Sequence, residues 1–93
     1  MIECFEPPLY FAWRWEHGMP YVVHFYVTKN ERSVTTALWS INKMKVYFQT
    51  RGFHHIMMNA RIEDVGIQKA IEHHFNVKPY GQADGHQFYL VEV

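Results

Sequence analysis

A chain of 93 residues with a single cysteine, Cys4, cannot close an internal disulfide or build a multi-cysteine metal site. It also lacks a dominant charge: nine Lys and Arg balance nine Asp and Glu, so no overall field draws it to nucleic acid, anionic lipid or a strongly acidic substrate. No apolar run reaches the roughly 20 residues that a membrane helix needs. The opening Met1-Ile2-Glu3-Cys4-Phe5-Glu6-Pro7-Pro8 lacks the basic and apolar blocks of a secretion signal. The expectation is one soluble domain over residues 1–93, kept in a reducing compartment such as the cytoplasm, with no membrane or nucleic-acid partner.

What the sequence has in quantity is aromatic surface. Three Trp, six Tyr and seven Phe supply large contact areas to a short chain that otherwise buries little of its surface. Many of them open the sequence. Leu9-Tyr10-Phe11-Ala12-Trp13-Arg14-Trp15-Glu16 reads as a strand, His17-Gly18-Met19-Pro20 as a turn, and Tyr21-Val22-Val23-His24-Phe25-Tyr26-Val27 as a second strand. Alternation along the first strand puts Trp13 and Trp15 on one face and Arg14 on the other.

Beyond Val27 the period changes. Val34, Ala37, Leu38, Ile41, Met44 and Phe48 recur at three- and four-residue steps, which predicts a helix with one buried face, and Gly52 suits its C-terminus. Phe53 to Ala60 reads as a strand. Asp64 is placed to cap a second helix with the stripe Ile67, Ala70, Ile71 and His74 or Phe75, ending at Asn76. Val77 to Tyr80 is then extended, Gly81 to Gly85 a turn, and His86 to Val93 the closing strand. The predicted class is α/β (α+β), a mixed sheet in the order β-β-α-β-α-β-β, with a right-handed parallel crossover around the long helix.

That order, from about Tyr21 onward, resembles the acyl-CoA-binding half of the GNAT N-acetyltransferases. The family's phosphate-binding turn reads Arg or Gln, two residues, Gly, one residue, Gly or Ala, and its counterpart here is Arg32-Ser33-Val34-Thr35-Thr36-Ala37. Against the family's commonest form, Arg-Gly-x-Gly-x-Ala, this segment keeps the Arg and the final Ala and replaces both intervening glycines, by Ser33 and Thr35. Glycine lets a backbone approach a pyrophosphate closely at a helix N-terminus. A second block, Ile71-Glu72-His73-His74-Phe75-Asn76-Val77-Lys78-Pro79, is similar to the family's helix ending Tyr-Glu-Lys-Leu-Gly-Phe-Lys-Pro. It sets Glu72 where the family often has a proton-donating tyrosine, and a carboxylate is a poor acid at neutral pH unless burial raises its pKa.

The resemblance implies acetyl-CoA or another acyl-CoA as cofactor, acyl transfer to an amine as reaction, and Phe25, Val27 and Arg32 through Ala37 (Ser33, Val34, Thr35, Thr36) as the cofactor-binding set. Glu72, His24 and Glu63 are the catalytic candidates, and Glu16 and His55 join His24 and Glu63 as candidate bases. No metal is expected, because His54-His55 and His73-His74 are adjacent pairs whose side chains diverge. Cys4 reads as a structural thiol. The competing expectation is a non-catalytic interaction protein on a degenerate GNAT fold, a small phage accessory or virion-associated protein or a homodimer, with self-association or a protein partner engaged through the aromatic N-terminal hairpin. The first reading requires a cleft beside Ser33 to Ala37; the second has that cleft filled by Trp39 or Phe48.

Overall fold

In the computed structural model, residues 1–27 and 34–93 are described. Six strands and two helices follow in the order β1 (Ile2–Glu6), β2 (Leu9–Glu16), β3 (Met19–Val27), α1 (Val34–Gln49), β4 (His55–Arg61), α2 (Val65–His74), β5 (Asn76–Ala83) and β6 (His86–Glu92). The strands form one mixed sheet in the spatial order β1-β2-β3-β4-β6-β5. All neighbours are antiparallel except β3 and β4, which the α1 crossover makes parallel.

The predicted order lacked one strand. Pro7 and Pro8 do not isolate the preceding residues from the sheet; they sit in the turn between β1 and β2, where Glu6 pairs with Leu9 and Ile2 with Trp13. Tight hairpins also set the other ladders. His17 and Gly18, both at positive φ, form the two-residue link between β2 and β3, so the strand resumes at Met19. Asp84 and Gly85 do the same between β5 and β6, and the expected Gly81–Gly85 turn shrinks accordingly. Gly81 lies inside β5, at a bulge beside Pro79.

One core joins both helices to one face of the sheet. Leu9, Phe11 and Trp13 of β2, Ile56, Met58 and Ala60 of β4, and Tyr89 and Val91 of β6 supply its floor, each set spaced by two as a pleated strand requires. α1 covers them with Ile41, Met44 and Phe48. Leu38 departs from the predicted stripe: it is 41% exposed, and Ser40 turns inward in its place. Trp13 is fixed both by ring contact with Phe48 at 5.5 Å and by an Nε1 hydrogen bond to the Tyr47 hydroxyl at 3.1 Å.

α1 ends in a Schellman motif. The Phe53 N–H reaches the Phe48 carbonyl at 3.1 Å and the Gly52 N–H reaches that of Gln49 at 3.0 Å, while Gly52 adopts φ 84°, which a side chain would resist. β4 consequently starts at His55, two residues later than predicted. Asp64 caps α2 as expected, accepting the Ile67 N–H at 3.1 Å. Of the expected α2 stripe only Ile71 is buried within the helix, with Phe75 buried just beyond it, whereas Ile67 and Ala70 are exposed. Asn76 does not end this helix; it opens β5, and its side-chain amide donates to Glu92 on the neighbouring strand at 2.9 Å.

Candidate functional site

The sheet is weakest at its centre. Among the described residues the one register pair joining β3 to β4 is Tyr21 with Met57, and none joins Val23, His24 or Phe25 to β4. The cause lies partly in β3 itself. Ala12 pairs with His24 and Trp13 with Val22, so Val23 is an extra residue with no counterpart on β2, a bulge that bends its strand. Past Tyr21 and Met57 an opening of about 1620 Å³ is lined by Val23 and His24 of β3, Met58 and Asn59 of β4, and Ile71 and His74 of α2. That space exceeds the few hundred to roughly 1,000 Å³ of common small-molecule sites, and its apolar wall is rimmed by charged and polar side chains such as Arg14, Glu16, Arg61 and Asp64.

Its polar centre is Tyr21. The Asn59 side-chain amide on β4 donates to the Tyr21 hydroxyl on β3, a bond between the two strands where they begin to separate. The Tyr21 ring packs against Phe88 at 6.0 Å, and the Arg14 guanidinium lies 5.5 Å from its centre. Burial pushes the Tyr21 hydroxyl above its ordinary pKa; Arg14 opposes that shift and Glu16 reinforces it. Tyr21 is therefore protonated at neutral pH and can deliver a proton into the opening. Arg14 is itself paired with Glu16 at 3.1 Å, so the two charges at this rim largely cancel.

Of the residues singled out from sequence, His24 and Phe25 border the opening, and so does Glu16. Val27 pairs with Leu9 at the end of β3. Arg32 and Ser33 lie outside the described residues. Val34 to Ala37 form the first turn of α1, with Thr35 exposed and Thr36 half-buried; the side chains of Val34 and Ala37 lie outside the description. Glu72 is not brought to the opening: it accepts a hydrogen bond from Tyr89 at 3.3 Å, and α2 borders the opening with Ile67, Ala70, Ile71 and His74 instead. Glu63 is exposed and lies 3.7 Å from Arg61, and neither it nor His55 borders the opening.

Trp39 and Phe48, the side chains expected to fill a degenerate cleft, are elsewhere. Trp39 is on the outer side of α1 and Phe48 is in the core. The aromatic hairpin divides as its alternation predicted: Trp13 is buried in the core, while Trp15, 59% exposed and 5.4 Å from Phe53, and Tyr26 are left for contact.

Sequence reading missed Tyr21, Asn59 and His74. Asn59 carried a usable signal, an amide within the otherwise apolar run Ile56 to Ala60. Tyr21 and His74 carried none beyond their elements. Among the described residues no group of three or more His, Cys, Asp or Glu is arranged to hold a metal, and no helix is long and apolar enough to cross a membrane. The fold and site thus define a mixed α/β domain split between two parallel strands. No protein-family model matches the chain, and no curated protein matches it.

Proposed function

We propose that this chain is a GNAT-like domain that holds an acyl-CoA in the opening between β3 and β4 and transfers the acyl group to an amine. The observation that carries this reading is the parting of the parallel pair after Tyr21 and Met57, at a bulge. An extended ligand entering there meets the edge of β3 around Val23 to Phe25, where backbone groups can bind a pantetheine chain and polarise a thioester carbonyl. The element order from β3 onward adds support, since a strand, a long helix crossing over to a parallel strand, a short helix and a final hairpin are what the resemblance implies. The first turn of α1 then receives the pyrophosphate, with Arg32 as its counter-charge.

In the reaction the amine nitrogen attacks the thioester carbon, the C–S bond breaks, His24 takes the proton leaving nitrogen, and Tyr21 gives its proton to the departing sulfur. Titration calorimetry with acetyl-CoA and CoA tests the binding step. Micromolar binding that disappears in Arg32→Ala is the expected result. Tyr21→Phe should keep binding and slow transfer by roughly 10²-fold or more, the scale of general acid catalysis. Absence of heat at millimolar ligand would refute the proposal. It would favour the non-catalytic reading, which the engagement of Glu72 by Tyr89 and the missing turn glycines support.

A further inference from the structure

The sheet has two edges, and they are protected unequally: β1 relies on its shortness and on Glu3 and Glu6. β5 carries the usual devices against strand addition along its length: Lys78, Pro79, a bulge and Gly81. β1 has none of them. Its five residues, Ile-Glu-Cys-Phe-Glu, contain no Lys, Pro, Gly or bulge, and both Ile2 and Phe5 are largely exposed. Among the described residues nothing pairs with its outer edge.

A second surface lies on the same side of the molecule. Trp39, Lys43 and Val46 follow one another at helical spacing on α1, with Trp39 38% and Val46 50% exposed. Lys43 reaches down to Glu6 of β1 at 3.2 Å, so this stripe overhangs the β1 edge. The Lys43 ammonium also lies 5.5 Å from the centre of the Trp39 ring.

We infer that β1 pairs antiparallel with β1 of a second copy of this chain, continuing the sheet across a two-fold axis and bringing the Trp39–Val46 stripes of the two α1 helices together above the joint. The second copy is favoured because one register lets this strand pair with itself along its whole length. An axis normal to the sheet keeps each face on its own side, so residues that meet must have the same parity. Centring the axis on Cys4 pairs all five residues: Ile2 with Glu6, Glu3 with Phe5, and Cys4 with its own counterpart. Centring on Glu3 sets that carboxylate against itself, and centring on Phe5 drops Ile2 and Glu3 from the ladder. The Cys4 register alone uses the whole edge without opposing like charges.

This register makes the two Cys4 residues direct neighbours, with Cα atoms about 4.5–5.5 Å apart, within disulfide range. Sedimentation of the full chain should give twice the chain mass. Mild copper-phenanthroline oxidation should convert that species to a covalent dimer that Cys4→Ser does not form. Val46→Lys changes an exposed side chain and should raise the dimer dissociation constant roughly tenfold or more by setting like charges together, with the circular dichroism spectrum unchanged. A single-chain mass at the highest soluble concentration overturns the inference. So does a dimer that Cys4 fails to cross-link.

Discussion

The two helices rest on one face of the same sheet and are held there very differently. α1 buries Ile41, Met44 and Phe48 along its 16 residues, locks its C-terminus with Gly52, and puts Phe48 among Phe11, Trp13 and Phe53. α2 buries only Ile71 along its 10 residues and leaves Val65 and Ile67 about half exposed. Lys45 ties them, donating to the His74 carbonyl at 3.2 Å with its ammonium 5.0 Å from the centre of the Phe75 ring. The difference follows position. α1 packs Phe48 on the antiparallel half of the sheet and reaches the opening with Ile41, while α2 borders the opening with Ile67, Ala70, Ile71 and His74 and has less to pack against. Ligand-binding elements are commonly drawn from the less stable parts of a fold for this reason.

The contrast is broken or upheld first by cavity formation. Phe48→Ala should cost about 3–5 kcal/mol in urea unfolding, because a fully buried ring would leave a hole that close-packed aromatics cannot collapse into. Ile71→Ala should cost about 2 kcal/mol, at the low end for such a truncation, since α2 can settle toward the opening. Equal losses would mean that α2 is as firmly seated as α1.

A smaller effect, about 1 kcal/mol, is expected where α2 is tied to β6. Tyr89→Phe removes the hydrogen bond to Glu72 and nothing else. The Tyr89 hydroxyl lies above its ordinary pKa of 10.0, mainly through burial and then through Glu72. A raised pKa means that the folded chain holds the proton more tightly than the unfolded one. Its stabilising contribution is complete below pH 10.0 and is lost as pH rises through the raised folded value. Thermal unfolding followed by circular dichroism should fall more gently above pH 10.0 in Tyr89→Phe than in the wild type. Identical alkaline slopes would detach Tyr89 from that transition.

How far the sequence disclosed this arrangement varies with the range of the interactions. Features set by near neighbours were legible: Asp64 as a cap, Gly52 at a helix end, and Trp13 and Trp15 on one side of a strand. β1 was not legible, because its short mixed pattern acquires meaning only when β2 folds back onto it through Pro7 and Pro8. The exchange of Leu38 for Ser40 on the buried side of α1 is likewise a tertiary outcome, since hydropathy favoured the leucine. Tyr21 and Asn59 are 38 positions apart and meet only because a parallel crossover sets β3 beside β4. The candidate acid Glu72 came from matching one helix to the pattern of the family it resembles, whereas the rotation of that helix directs His74 to the opening and Glu72 to Tyr89.

The smallest stability effect separates the helices by function. Ile67 of α2 and Leu38 of α1 are both apolar, helical and largely exposed, at 50% and 41%, and exposed substitutions of this kind usually stay within about 0.5 kcal/mol. Ile67→Gln and Leu38→Gln should therefore unfold at the same urea midpoint as the wild type, each keeping a good helix former in place. They should differ in calorimetry with acetyl-CoA, since Ile67 borders the opening and Leu38 does not. If the opening holds the proposed acyl-CoA, Ile67→Gln removes apolar wall beside it and should weaken binding by roughly tenfold, the loss expected for about one to two buried methylenes. Leu38→Gln should leave binding unchanged. If the two variants bind alike, the exposed apolar face of α2 has no part in the site, and its difference from α1 is one of packing alone.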